Sequence, residues 1–200
     1  MRVSFNEIEG TVLKAARGAG YPWGLAEEAS RAARFLAASG LPWLETAAAA
    51  FSEAAVRAIG GDNWQLNPIA AAAWYADFGG AKGGAFSGAR MLAPVWFAGV
   101  LAVGTGRIGE AMAISWIGHD RPAKLVIWRG ALVSAEGALA ATEATTFECR
   151  VVGPAVAAVT DCHVDERRWA ALQALEKNTY VPASDHSRIA GAGAGLVDND

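Results

Sequence analysis

Residues 112–129, MAISWIGHDRPAKLVIWR, decide how the chain is read. Up to this point the apolar residues recur at helical spacing; here they begin to alternate. Met112, Ile114 and Trp116 fall on one face of an extended segment, because side chains along a strand point to opposite faces in turn. Gly118-His-Asp-Arg-Pro122 supplies a turn, with His119 read as a turn residue, and Lys124 to Arg129 gives a second strand. Leu132 to Ser134 begins a third. Phe147, Cys149 and Val151 alternate with Glu148 and Arg150, the pattern of an antiparallel strand with one solvated face.

Upstream the period is helical throughout. Ser4 and Glu7 form an S-x-x-E capping box, with Val3 and Ile8 at the two positions of a hydrophobic staple. Phe5, Ile8, Val12 and Ala16 then share one face of a first helix that Gly18 and Gly20 end. A second helix runs from about Leu25 to Ser39, with Leu25, Ala29, Ala32 and Leu36 as its apolar stripe and Glu27–Arg31 as an i,i+4 ion pair. The junctions Gly20-Tyr-Pro-Trp23 and Gly40-Leu-Pro-Trp43 repeat one device: glycine stops a helix, proline starts the next, and tryptophan packs into the corner. A third helix is expected from Leu44 to Ile59, ended by Gly60-Gly61. Asn67-Pro68 reads as an N-cap with proline at the first helical position, opening a short helix through Trp74 and Tyr75. A loose, glycine-rich segment spans Gly79 to Arg90, and a further helix follows Pro94 and ends near Gly104. At the far end Asp165 caps a last helix carrying Trp169, Leu172 and Leu175, with Asn178 beyond its C-terminus.

Helices first and strands second indicate an α+β fold. The expectation is one domain over 1–200: an N-terminal helical layer (about 4–104) packed on a small, mainly antiparallel sheet (about 110–160), then a C-terminal helix and glycine-rich tail (164–200). Two hundred residues suffice for one domain with a real core. Alanine dominates the 53% hydrophobic composition, and the eight tryptophans supply bulk that the alanines lack. A net charge of -3 with no basic cluster gives no electrostatic reason to expect nucleic acid. The longest apolar run, Met91 to Gly104, contains Pro94 and is too short to span a membrane. The N-terminus lacks the apolar core of a signal peptide, and Cys149 and Cys162 make no CxxC, so the chain reads as cytoplasmic with free thiols.

The stretch FNEIEGTVLKAARGAGYPWGLAEEASRAARFL, from Phe5 to Leu36, resembles a bacterial family known only as domain of unknown function 3726. TYVPASDHSR and GAGAGLVDND, near the C-terminus, resemble that family's ending. The resemblance implies a single bacterial domain and brings no activity, cofactor or catalytic residue with it.

Several motifs could carry chemistry. Gly104-Thr-Gly106-Arg-Ile-Gly109 fits GxGxxG, which in a nucleotide-cofactor-binding oxidoreductase lets the backbone approach a pyrophosphate at a helix N-terminus, with Arg129 placed for a 2′-phosphate. The alternation after Gly109 argues against it, since the motif needs a helix there. Lys82, Ser87 and Arg90 in the glycine-rich segment offer an anion nest, against the plainer reading of a surface loop. Asp161, Cys162, His163, Asp165 and Glu166 cluster in sequence, but no second pair has zinc spacing, and no metal is expected. The closing stretch is the leading candidate. Arg188 offers a bidentate fork for a carboxylate or phosphate, Ser184 and Ser187 orient it, Tyr180 forms a wall, and Arg31 is a second cation. Asp185 and His186 titrate in the same stretch but do not form a triad with Ser184, since three consecutive side chains diverge. The functional expectation is a binding protein or enzyme for a small anionic metabolite, with a pocket completed by this stretch. The alternative is a non-catalytic scaffold or partner subunit that joins copies of itself or another enzyme.

Overall fold

The computed structural model describes residues 1–79, 85–88, 90–104, 111–152 and 164–179. Helix α1 (Phe5–Ala19) starts where Ser4 Oγ accepts the Glu7 amide at 3.1 Å. It buries Ile8, Val12 and Ala16 completely. Gly18 lies inside the helix; Gly20 ends it, in the left-handed conformation (φ 108°). Helix α2 (Trp23–Ala38) packs along α1 and buries Ala29, Ala32 and Leu36. The expected third helix is two, α3 (Trp43–Ala50) and α4 (Glu53–Ala58). The break falls at Phe51–Ser52, where the Ser52 hydroxyl accepts the Ala55 amide at 3.2 Å and starts a new helix. The two Pro-Trp corners also differ. Trp43 is buried, whereas Trp23 is 62% exposed with the Arg17 guanidinium 4.7 Å over its ring.

Helix α5 (Pro68–Trp74) opens on Asn67 as expected, and its last turn widens into a π-turn over Tyr75–Gly79. The segment read as loose contains strand β1 (Phe86–Gly88) and is followed by β2 (Met91–Leu92). Helix α6 (Pro94–Gly104) is apolar all round, and every residue from Pro94 to Ala102 is buried. Such a helix must be enclosed on all sides. It lies between α2 and α5 and the sheet, which it meets at β4 (Arg121–Trp128).

With β3 (Ala111–Gly118), β5 (Ala131–Gly137) and β7 (Thr146–Val152), the main sheet runs β1-β7-β3-β4-β5, antiparallel at every pairing. Strands β2 and β6 (Glu143–Ala144) form a separate pair. Met112, Ile114, Trp116, Leu125, Ile127, Phe147 and Cys149 form the inner face against the helices. The Phe147 ring stands 4.7 Å from that of Phe97 on α6. Both connections around β4 turn through two residues with positive φ: His119 and Asp120 (49° and 58°), then Arg129 and Gly130 (49° and 74°). Primed two-residue turns match the right-handed twist of a hairpin. Finally α7 (Glu166–Glu176), capped by the Asp165 carboxylate on the Arg168 amide at 2.9 Å, packs Trp169 and Leu172 against α1 and α3. Lys177 is the C-cap of α7 and Asn178 follows it as read, within a 3-10 turn, Lys177–Thr179, that prolongs the helix. The architecture is α+β, with a helical layer on an antiparallel sheet.

Candidate functional site

The β3–β4 hairpin and the chain leaving β5 enclose a cavity of about 500 Å³ at one end of the sheet. Arg121, the first residue of β4, pairs with Gly118, the last of β3, and His119 lies in the turn between them. The opposite wall is the segment Ala138–Ala141, with Leu139 apolar and Pro42 closing the side toward α3. Two glycines allow this approach. A Cβ on Gly118 would stand 2.4 Å from that of Ala141, and one on Gly137 would stand 2.1 Å from the Pro122 oxygen. Gly137 also has φ 85°, a conformation that L side chains adopt only at a cost. The segment is then pinned where the Ala138 amide donates to Pro122 O and the Leu139 amide to Gly137 O, both at 3.0 Å.

Arg121 and His119 are the only charged or titratable residues lining this cavity among the described residues. Both are exposed, and among the described residues neither makes an ion pair within 4.0 Å. Asp120, exposed in the same turn, stands between them in the chain but does not line the cavity; Glu143, whose carboxyl the charge of His119 favours in its ionised form, is already gripped by Arg90 through Nε and Nη2. The Arg90 hydrogen bond holds the Glu143 carboxyl below its ordinary range; burial opposes this, and the charges of Arg90 and His119 reinforce it. A guanidinium fork and an imidazole facing a partly apolar wall are the chemistry of a carboxylate or phosphate site. Elsewhere the arginines beside cavities are engaged. Arg90, next to a 240 Å³ hollow, is held by Glu143, and Arg168, next to a 160 Å³ one, lies 3.5 Å from Glu45.

A second cavity, of about 540 Å³, lies on the outer face of the sheet and shares Gly137 with the first. Strand register draws one polar row across all five strands: Ser87, Glu148, Ser115, Lys124, Glu136. The last four line the trough. Lys124 sits directly across from Glu136 but makes no ion pair within 4.0 Å among the described residues, and Ser115 between Lys124 and Glu148 is half-buried.

Of the residues singled out in the sequence, Tyr180, Ser184, Asp185, His186, Ser187 and Arg188 lie outside the described residues, as do Gly106, Gly109, Lys82 and the 161–163 part of the acidic cluster. Arg31 is on α2 and holds Glu27 at 3.3 Å and Glu28 at 3.2 Å, so its charge is already partnered, and it lines neither cavity. Gly104 ends a helix, and the chain resumes as a strand at Ala111. That is the reverse of the strand–turn–helix a dinucleotide needs. Asp165 is an N-cap, and Glu166 lies 3.5 Å from the Met1 amine. No grouping of three or more metal-ligating side chains occurs among the described residues. Reading the sequence missed Arg121 and the Ala138–Ala141 wall. The available signal was the imidazole and guanidinium side chains in Gly-His-Asp-Arg-Pro, discounted because the turn alone accounted for them.

The fold and site define an α+β domain with a cationic cavity at the end of its sheet, and no helix among the described residues is long and apolar enough to cross a membrane. Residues 3–72 match the model of a family described as protein of unknown function (DUF3726), which bears out the resemblance read at α1 and α2. The match runs from the start of α1 into α5, and the likeness noted in 179–200 lies beyond it. No curated protein and no solved structure matches the chain.

Proposed function

We propose that the protein binds a small anionic metabolite in the cavity between the β3–β4 hairpin and Ala138–Ala141. The observation that carries this is the pair Arg121 and His119: two nitrogen-donor side chains in one cavity, with no acidic residue in its lining among the described residues. Arg121 provides the bidentate contact, a His119 ring N–H a second donor, and Leu139 and Pro42 the apolar walls for the rest of the molecule. Arg188, with Ser184, Ser187 and Tyr180, stays in the proposal as a further source of anion contacts.

The test is a titration of the protein with inorganic phosphate and with hexanoate, followed by amide chemical shifts. A charge-assisted pair is worth about 1.5–3 kcal/mol, so Arg121→Ala should weaken binding about ten- to a hundredfold. Its melting temperature should hardly move, because Arg121 is exposed and has no ion-pair partner among the described residues. A parallel Arg188→Ala variant measures the contribution of the C-terminal stretch. Unchanged affinity for both anions in Arg121→Ala would refute the reading.

A second reading, a subunit that joins copies of itself, is favoured by an aromatic ridge. Trp74 (45% exposed) and Phe78 (62% exposed) stand together on the surface beside Trp64. Sedimentation that finds a dimer, dissolved by Trp74→Ser with Phe78→Ser, would favour it; a monomer at high concentration would remove it.

A further inference from the structure

The cavity at the end of the sheet is chemically lopsided. Alternation puts Arg121 on the same face of β4 as Ala123, two residues on, which is buried on the inner side. Arg121 pairs with Gly118, and Gly118 is the residue on which Ala141 closes. Arg121 and the segment Ala138–Ala141 thus share one side of the sheet, and His119 borders the same space. Apart from these two side chains, the lining among the described residues is glycine, alanine, leucine and proline only. It therefore offers no side-chain hydroxyl, amide or carboxylate. At about 500 Å³ the cavity falls in the range that takes small organic molecules, so the ligand has a body as well as a charged end.

Resting on the anion-binding reading above, we propose that the ligand is a monocarboxylate with a hydrocarbon body. Arg121 is the one permanent cation of the described lining. A carboxylate matches it charge for charge and occupies both arms of its fork, while a His119 ring N–H donates to the same group. A phosphate dianion leaves one charge unmatched beside an apolar wall, which penalises it. The body lies along Leu139, Pro42 and the alanines. Hydroxyl or ammonium groups placed there would give up water and find no side chain to replace it. Sugar acids, amino acids and nucleotides are disfavoured by that omission, whereas short fatty acids and other hydrocarbon acids are not.

The experiment titrates the full chain with acetate, butanoate, hexanoate, gluconate and inorganic phosphate, at a mildly alkaline pH where phosphate is a dianion, by the same amide-shift measurement. Gluconate has the six carbons and the carboxylate of hexanoate but a hydroxyl on every other carbon, so the pair isolates the polarity of the body. Affinity should rise about two- to fourfold for each methylene from acetate through butanoate to hexanoate. Gluconate should bind at least about tenfold weaker than hexanoate, and phosphate no tighter than acetate. Arg121→Ala should weaken all the carboxylates together and leave the chain-length increments in place. Affinity that does not depend on chain length, or gluconate binding as tightly as hexanoate, overturns the hydrocarbon body. Phosphate binding tighter than acetate overturns the carboxylate. Each of these leaves the anion site standing if Arg121→Ala still weakens binding. Insensitivity of every anion to Arg121→Ala overturns the site and this inference together.

Discussion

Asn67→Ala should be among the most damaging single substitutions in the helical layer. The Asn67 side chain is fully buried and uses its whole hydrogen-bonding capacity. Its Oδ1 accepts the Ile69 and Ala70 amides at 3.0 and 2.9 Å, capping α5. Its Nδ2 donates to the Tyr21 hydroxyl at 2.8 Å and to Ala55 O at 2.9 Å, and Tyr21 in turn donates to Ala50 O at 2.6 Å. One side chain therefore ties the start of α2, the end of α3, α4 and α5 together. Alanine removes an N-cap, worth about 1 kcal/mol, and strips a donor from two further groups that stay buried, at about 1 kcal/mol each. The sum is about 3 kcal/mol, a large part of the roughly 5–15 kcal/mol that holds a domain folded. For a chain of this size it corresponds to a fall in melting temperature of about 6–12 °C. Urea titration followed by tryptophan fluorescence measures the loss directly. Asn67→Ser, which restores the cap but cannot reach Tyr21, should recover about a third of it. A loss for Asn67→Ala below about 1 kcal/mol would show that the network does not bear on stability as argued.

Two further outcomes follow from buried groups and from backbone geometry. Burial on the inner face of the sheet pushes the Cys149 thiol up from 9.0 to about 12; its hydrogen bond with Tyr75 pulls the other way, and the charge of Glu148 adds to the rise. The folded protein thus keeps a proton that the unfolded chain releases. The stability tied to this thiol is complete below pH 9 and is lost as pH rises from there toward 12, at about 1.4 kcal/mol per unit. Cys149→Ser should flatten the stability curve between pH 9 and 10, as read by urea melts; a slope identical to wild type there contradicts the assignment. Gly137→Ala brings a Cβ against Pro122 O in a left-handed conformation, so it should cost about 1–2 kcal/mol or more and weaken hexanoate binding. Wild-type stability and affinity in that variant would mean that the chain leaving β5 is not fixed as described.

How far the fold was legible depended on how local its determinants are. The Ser4 and Asn67 caps and the Asp165 cap were readable because each involves a side chain and an amide two or three residues away. The alternation of Met112, Ile114 and Trp116 announced β3 for the same reason. The split between α3 and α4 carried a local signal too, in Ser52, but an alanine-rich run suits helix so well that the cap was overlooked. The two Pro-Trp corners show what local reading cannot supply. Trp43 meets Trp169 of α7 at 6.1 Å, whereas Trp23 is exposed with the Arg17 guanidinium over its ring, and nothing within either corner distinguishes them. The cavity was illegible for a stronger version of that reason. Arg121 and Ala138–Ala141 are joined by hairpin register and by the two glycines that let the segment close on the strand. Arg31 had looked available in sequence only because its bond to Glu28, three residues back, was not added to the Glu27 pair.

The central claim, an anion held by Arg121 and His119, is tested most directly by mapping where hexanoate binds on the isotopically labelled protein. The account predicts that the backbone amides of Gly118 to Arg121 and of Ala138 to Ala141 shift together and saturate with one dissociation constant, and that Arg121→Ala removes those shifts. Saturable shifts confined to other parts of the chain, or shifts at these residues that persist in Arg121→Ala, would contradict it.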